Sequence, residues 1–308
     1  MLPFLKKKQV DGWLTVHCNS GRVELAHVLR RTGDKPRIEM LEVFDGAGDL
    51  PAALLRLRNE KNLGSFRCVS LLAEHDYRLV LAEAPAVPDA ERAEALRWRL
   101  KDMVDFPVAD AALAVATLPT EQEGGRSQNV FVAAAPRSAV AALMTQMATA
   151  RLTLAAIDIP EMAIRNVAAL LETAQRGLGF IYIGTTGSLF IITYRGELAL
   201  SRRMDISAKQ LAAADADRRA QLLERLGLEL QRTLDNFDRQ FNFISVSGLV
   251  LACVEDLPDV FAKLKDSLYF PLSELDLNGA IDFAGVPELA NPTWQAQCLL
   301  TLGAALRD

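Results

Sequence analysis

Cysteine is scarce in this chain: four residues in 308, at positions 18, 68, 253 and 298, with no C-x-x-C pair among them. That excludes a disulfide framework and a zinc site, and it fits a reducing cytoplasm. Histidine is scarcer still, and His17, His27 and His75 have no ligand-like spacing. No metal is expected. An excess of basic residues is missing too: 34 Lys and Arg stand against 39 Asp and Glu, for a net charge of -5. Nucleic acid would need a clustered basic face, and the only dense cluster is Lys6, Lys7 and Lys8. No window reaches the roughly 18 apolar residues of a membrane helix. The opening MLPFLKKK lacks the apolar core and cleavage site of a signal peptide. The chain therefore reads as soluble and cytoplasmic. Leu2, Phe4 and Leu5 beside the three lysines offer a peripheral contact with an anionic membrane surface, or simply a frayed tail. Catalytic signatures are also absent: there is no G-x-x-x-x-G-K-[ST], no H-E-x-x-H and no G-x-S-x-G.

What the chain does have is apolar material, 50% of its residues, and enough length for two lobes. GWLTVHCNSGRVELAHVLR reads as a hairpin turning at Asn19-Ser20-Gly21, and Arg37 to Phe44 as a third strand. A helix over Leu50–Glu60 and strands at Ser65–Leu72 and Arg78–Glu83 follow. Asp89 is the expected N-cap of a helix running to Val104, which Phe106-Pro107 stops. Strands at Ala111–Leu118 and Val130–Ala135 flank a polar hairpin tip from Glu121 to Asn129. Then come a helix at Ser138–Arg151, a strand at Leu154–Ile159 and a helix at Glu161–Thr173.

Gly177 and Gly179 mark a lobe boundary, after which GFIYIGTTGSLFIITYRGEL repeats the hairpin plan some 165 residues after its first occurrence. Its small-residue turn, Gly184 to Ser188, has the makings of a phosphate loop and equally of an ordinary hairpin. One helix is expected from Ala208 to Phe241, because Leu222, Leu226, Leu230, Leu234, Phe237 and Phe241 form a continuous apolar face suited to core packing. A strand at Leu249–Val254, a helix at Asp259–Ser267 and a last helix from Trp294 to Arg307 close the chain.

Several of these segments, in this order, resemble the PilM/MshI family of type IV pilus biogenesis proteins. They are the helix DAERAEALRWRLKDMVDFPVADAALAV with Arg97, Trp98, Phe106 and Pro107, the unit VFVAAAPRSAVAALMTQMATARLTLAAIDIPEMAI, LGLELQRTLDNFDRQF and the terminal TLGAALR. The resemblance covers almost the whole chain and is nearest to the MSHA-pilus branch. It implies an α/β, two-lobed actin-like fold (FtsA/PilM-like, ribonuclease H-like) with duplicated βββαβα lobes, related to the cytoplasmic domain of GspL. The implied first lobe is 1–176, with core 1–83 and 160–176 and an inserted subdomain at about 84–159. The second is 177–308, with core 177–206 and 243–308 and a helical subdomain at about 207–242.

Actin-like ATPases need two Asp-x-Gly hairpins for magnesium and phosphates and a Gly-rich adenosine loop. The resemblance sets His17 and Asn19 in place of the first Asp-x-Gly. It sets Tyr182 at the second acidic position, with Gly184, Thr185 and Thr186 retained. Ala252-Cys253-Val254-Glu255-Asp256-Leu257-Pro258-Asp259 stands where the adenosine loop belongs. A tyrosine is a poor magnesium partner, and Glu255 and Asp256 would repel a polyanion. The expectation is a non-catalytic protein with no cofactor, the alternative being an unorthodox site for ATP and magnesium. A sugar-kinase-like enzyme is disfavoured by the same missing carboxylates. The implied partner is the cytoplasmic N-terminal segment of a PilN/MshJ-like inner-membrane protein, bound at Arg97, Trp98, Phe106 and Pro107 between the core sheet and the inserted subdomain. Contact with the pilus assembly ATPase is a further implication.

Overall fold

The structure, a computed structural model, describes residues 9–19, 21–46, 48–121 and 129–307. Ser20, the N-terminal lysines with Leu2, Phe4 and Leu5, and most of the polar loop before Asn129 lie outside the described residues.

The chain runs β1 (Trp13–Asn19), β2 (Arg22–Leu29), β3 (Arg37–Phe44), α1 (Leu50–Glu60) and β4 (Arg67–Leu71). Next come β5 (Arg78–Glu83), α2 (Asp89–Leu100), β6 (Ala111–Thr117), β7 (Asn129–Pro136), α3 (Arg137–Thr149), β8 (Thr153–Asp158) and α4 (Pro160–Leu171). The second half is β9 (Gly177–Ile183), β10 (Ser188–Tyr194), β11 (Glu197–Met204), α5 (Ala208–Ala213) and α6 (Ala216–Gln240). It ends with β12 (Val246–Cys253), α7 (Pro258–Ser267), β13 (Leu272–Glu274), α8 (Pro292–Gln297) and α9 (Leu299–Ala305).

Two five-stranded sheets have the same plan, β3-β2-β1-β4-β8 and β11-β10-β9-β12-β13, so the hairpin seen twice in the sequence opens two equivalent sheets. In each, the first three strands are antiparallel and the remainder parallel. The strands β9 and β10 are buried at every position, as expected of a sheet covered on both faces.

The third sheet is small, ordered β5-β7-β6. Its pairing corrects the expected insertion of 84–159: β5 belongs to the small sheet, whereas β8 pairs in parallel with β4 in the large one. The inserted unit thus runs from β5 to β7. The covering helices also depart from simple lobe membership. Helix α4, from the first half, lies on β9, β10 and β11, while α9, the last helix, lies on β1, β2 and β4. The two helices pack on each other, and the Asn166 side chain donates to the Gly303 carbonyl at 2.9 Å.

Several helix boundaries differ from the sequence reading, among them the end of α2, which lies at Leu100 and not at the expected Val104. The expected helix from 208 to 241 breaks at Ala214, and Asp215 accepts the Arg218 N–H at 2.8 Å to cap α6 anew. The C-terminal helix breaks at Cys298. Asp89 is the first residue of α2, with Pro88 at the cap position.

Candidate functional site

The two hairpin turns face the seam between the large sheets. On the first, His17 and Glu24 are cross-strand partners in the β1–β2 register, so their side chains emerge on one face. Both meet Thr301 of α9. The Thr301 hydroxyl donates to Glu24, and His17 Nδ1 lies 3.2 Å from Thr301 Oγ1, so the ring offers its Nδ1–H to that oxygen. Arg22 completes the cluster, pairing with Glu24 at 2.9 Å and lying over the Trp294 ring of α8 at 5.7 Å. Burial opposes the ionisation of Glu24. The hydrogen bonds and charges of His17, Thr301 and Arg22 outweigh it and hold the carboxyl below its ordinary value. Asn19 ends β1 on the exposed side of this cluster.

On the second hairpin, the Gly184 N–H donates to the Gly187 carbonyl at 2.9 Å, and its own carbonyl accepts from Ala208 at 2.8 Å. A glycine is required here because the Tyr182 ring folds against the turn: a Cβ on residue 184 would stand 2.8 Å from Tyr182 Cε1. Burial, followed by the charges of Glu24 and Glu74, pushes the Tyr182 phenol well above its usual range. It is neutral at pH 7. Thr185 is exposed, and the Thr186 hydroxyl donates to Glu74 at 2.9 Å. A carboxylate from the loop after β4 therefore stands at the turn itself.

Cys253 ends β12 alongside Ile183, and the next N–H, that of Val254, donates to the Ile183 carbonyl at 3.1 Å. Burial pushes its thiol up, and the charges of Glu255 and Asp256 add to that rise. The cavity beside it is about 70 Å³, lined in part by Cys253, Glu255, Asp256 and Glu274. The residues expected at a nucleotide site are thus gathered at one seam, with Glu24, Glu74, Thr301 and Arg22 among them. Glu74 and Thr301 come from elements far apart in the chain, so sequence spacing did not point to them, whereas Arg22 and Glu24 lie on the same hairpin as His17 and Asn19 and were passed over. Among the described residues no group of His, Cys, Asp and Glu is arranged to hold a metal ion.

Arg97, Trp98, Phe106 and Pro107 do come together, lining a groove of about 500 Å³ with Glu94, Lys101, Val108 and Ala109. Arg97 is committed within it, donating to the Val108 and Ala111 carbonyls at 2.8 Å each, which pins the Phe-Pro loop onto α2. Trp98 is 79% exposed. This groove is not, however, the one between the core sheet and the inserted sheet.

That second groove is about 410 Å³. Its walls include Ala114, Ala116, Phe131 and Ala133 on one side and Ile157, Ile159 and Met162 on the other, with Arg165 and Arg307 among the lining. The charged rim is internally paired, Arg165 with Glu197 at 3.2 Å and Arg307 with Asp158 at 3.1 Å. Burial raises Asp158 above its ordinary value, although the Ile159 N–H and Arg307 pull the other way. The signal for this groove was present in AALAVAT and VFVAAA, whose small residues leave one face of the inserted sheet shallow. It could be placed only once β8 was known to lie in the large sheet.

No protein-family model matches this chain, and no curated protein matches it. Solved structures do. One, described as a PilM-PilN type IV pilus biogenesis complex, aligns with a TM-score of 0.77 at 22% identity, covering 97% of this chain and 98% of that one. A Bacteroides thetaiotaomicron protein with an actin-like ATPase fold and unknown function aligns at a TM-score of 0.52 and 15% identity, covering 98% and 99%. The chain has a two-lobed actin-like fold.

Proposed function

We propose that this protein is a non-catalytic actin-like scaffold of type IV pilus assembly, of the MSHA kind, working at the cytoplasmic face of the inner membrane. Its partner is the cytoplasmic N-terminal segment of a PilN/MshJ-like membrane protein. The pilus assembly ATPase is a second candidate partner. The observation that carries the reading is the likeness over nearly the whole chain to the PilM-PilN complex. The geometry of the seam supports the absence of ATP chemistry. Tyr182 lies over the Gly184 turn, Glu74 meets Thr186, and the small cavity beside Cys253 is lined by the carboxylates Glu255, Asp256 and Glu274. Phosphoryl transfer requires positive charge and metal at that point.

The peptide is assigned to the groove between the inserted sheet and the β8–α4 junction, in preference to the Trp98 groove. An extended segment can add to β6, which is an edge of the small sheet, while apolar side chains enter the shallow alanine face. Titration of the full chain with a labelled peptide of the partner's N-terminal segment tests this. Ala116→Arg and Met162→Glu should each weaken binding at least tenfold, and Trp98→Ala should leave it unchanged. The reverse pattern would move the interface to α2. A parallel titration with fluorescent ATP and magnesium up to about 1 mM should show no saturation, since even that Kd corresponds to only about 4 kcal/mol. Tight uptake would support the ATP-binding alternative.

A further inference from the structure

The segment between β13 and α8 does not stay with its own sheet. Its sequence, LDLNGAIDFAGVPEL from Leu275 to Leu289, sets buried apolar residues, Leu275, Leu277, Ile281, Val286 and Leu289, among polar turn formers. The Asp276 carboxylate accepts the Asn278 N–H at 2.9 Å, and the Asp282 carboxylate accepts the Ala284 N–H at 3.1 Å, so each turn is held locally. Both ends of the loop are tied to one buried side chain of α8. Gln295 accepts the Leu277 N–H at 3.0 Å and donates to the Leu289 carbonyl at 2.7 Å. Between those anchors the loop reaches across to the first half.

There it pairs with the outer edge of β3. The Ile38 N–H donates to the Asp282 carbonyl and the Asp282 N–H donates to the Pro36 carbonyl, at 2.8 Å each, which makes a parallel bridge between Arg37 and Asp282. Ile38 and Ile281 are buried in the same apolar cluster. Strand β3 runs parallel to β1, β4 and β8, so the bridge stands at the end of the sheet where these strands start. The contacts of Arg203, on β11, with Glu74 and Glu161 stand at the other end, after the last residues of β4 and β8, toward the opposite edge. The two halves are thus joined at diagonal corners of the first large sheet, with the α4–α9 crossing between them.

We infer that the loop 277–289 is a latch that fixes the angle between the two halves. A fastening at one corner leaves them able to turn about the α4–α9 crossing, a hinge-like motion open to two packed bodies. The second fastening, at the far corner, removes that rotation. The latch is built to release at its tip: two backbone bonds hold it to β3, beside a concavity of about 640 Å³ lined in part by Arg31, Lys35, Asn278 and Phe283, while its base stays on Gln295. Opening of this kind is local, and it exposes the Ile38 amide while the sheets stay folded. The inference does not rest on the pilus reading, nor on the peptide groove, which lies beside β8.

The test is amide hydrogen exchange on the full chain, joined to small-angle scattering. Asp282→Pro removes the N–H given to Pro36, and the Ile38 amide should then exchange at least tenfold faster, while Val28 in β2 and Ile191 in β10 keep the parent rate. Asp282→Ala keeps both backbone bonds and should leave Ile38 within about threefold of the parent. Asp282→Pro combined with Arg203→Met frees both corners and should raise the radius of gyration beyond that of Arg203→Met alone. An Ile38 amide indifferent to Asp282→Pro, or equally exposed by Asp282→Ala, would overturn the latch. So would lost protection that spreads to Ile191, which would make the loop part of one indivisible core, or a double variant that scatters like Arg203→Met alone.

Discussion

Gly303 sits where α9 crosses α4, and a Cβ built on it would stand 2.1 Å from the Ala163 carbonyl oxygen and 2.6 Å from its carbonyl carbon. Both are backbone atoms, which no rotamer change can move aside. Gly303→Ala must therefore push the helices apart, and overpacking of this kind costs about 1–3 kcal/mol. Thermal unfolding should show a lowered midpoint, whereas Gly21→Ala, with open space around its Cβ, is felt only through its positive φ of 81°. Glu24 makes a second prediction at this scale. Its carboxyl is held below the unfolded value of 4.5 by His17, Thr301 and Arg22. A depressed folded value means that the stabilisation is fully present above the unfolded value and is lost as pH falls through the folded one. Glu24→Gln should lower stability at pH 7 and lose less than the parent between pH 5 and pH 3. A midpoint difference that stays constant over that window would refute the assignment.

Among the elements, α6 shows what its periodic pattern was for. Leu223, Leu226, Leu230, Leu234 and Phe237 are buried in the main core, and Ser267 of α7 packs so closely that a Cβ on Gly227 would lie 2.6 Å from its hydroxyl. Leu230→Ala should cost about 2–5 kcal/mol, and Trp98→Ala, on the exposed side of α2, less than about 0.5 kcal/mol; chemical denaturation of both variants checks the contrast. Elements of this sort were legible in advance because helix and strand periods are local. The span Leu50–Glu60 matched the structure, and so did Arg78–Glu83, while β9 starts at Gly177, two residues before the hairpin read from Gly179. What the local pattern misread was whatever depends on distant partners. The expected insertion ran to 159 because nothing in TLAAID announces that it pairs with RCVSL. The short strand β13 has no alternating pattern of its own and is defined only by its pairing with β12. For the candidate site, the hairpin residues were found by position, yet Glu74 and Thr301, which meet them, arrive through tertiary packing alone. Arg97 shows the converse: its sequence context marked it for a partner, and it is occupied by carbonyls of its own loop.

For the molecule as a whole, the seam is fastened by an ionic cluster in which Glu161 is buried while Arg203 and Glu74 are partly exposed. Arg203 of β11 pairs with Glu161 at the start of α4 at 2.8 Å and reaches Glu74 at 3.4 Å. Tyr77 donates its hydroxyl to Glu161 and accepts from Arg203, whose guanidinium also lies over the Tyr77 ring at 5.2 Å. With Thr186 bonded to Glu74, the second hairpin is joined to the loop after β4, and the first hairpin is joined to α9 through Thr301. Glu161 is 1% exposed and lies in the first turn of α4, so its carboxylate is compensated by these partners and by the helix N-terminus. Arg203→Met leaves that charge without its cation and should cost about 1–3 kcal/mol, since Arg203 is itself partly solvated, while Arg203→Met combined with Glu161→Met exchanges the pair for apolar volume and should recover most of the loss. The same cluster predicts the shape in solution. In an actin-like protein whose lobes close on nucleotide, small-angle scattering changes when ATP and magnesium are added. Here the seam is fastened by direct contacts between side chains, so the scattering curve should be the same with and without 1 mM nucleotide, and Arg203→Met should be the variant that loosens it.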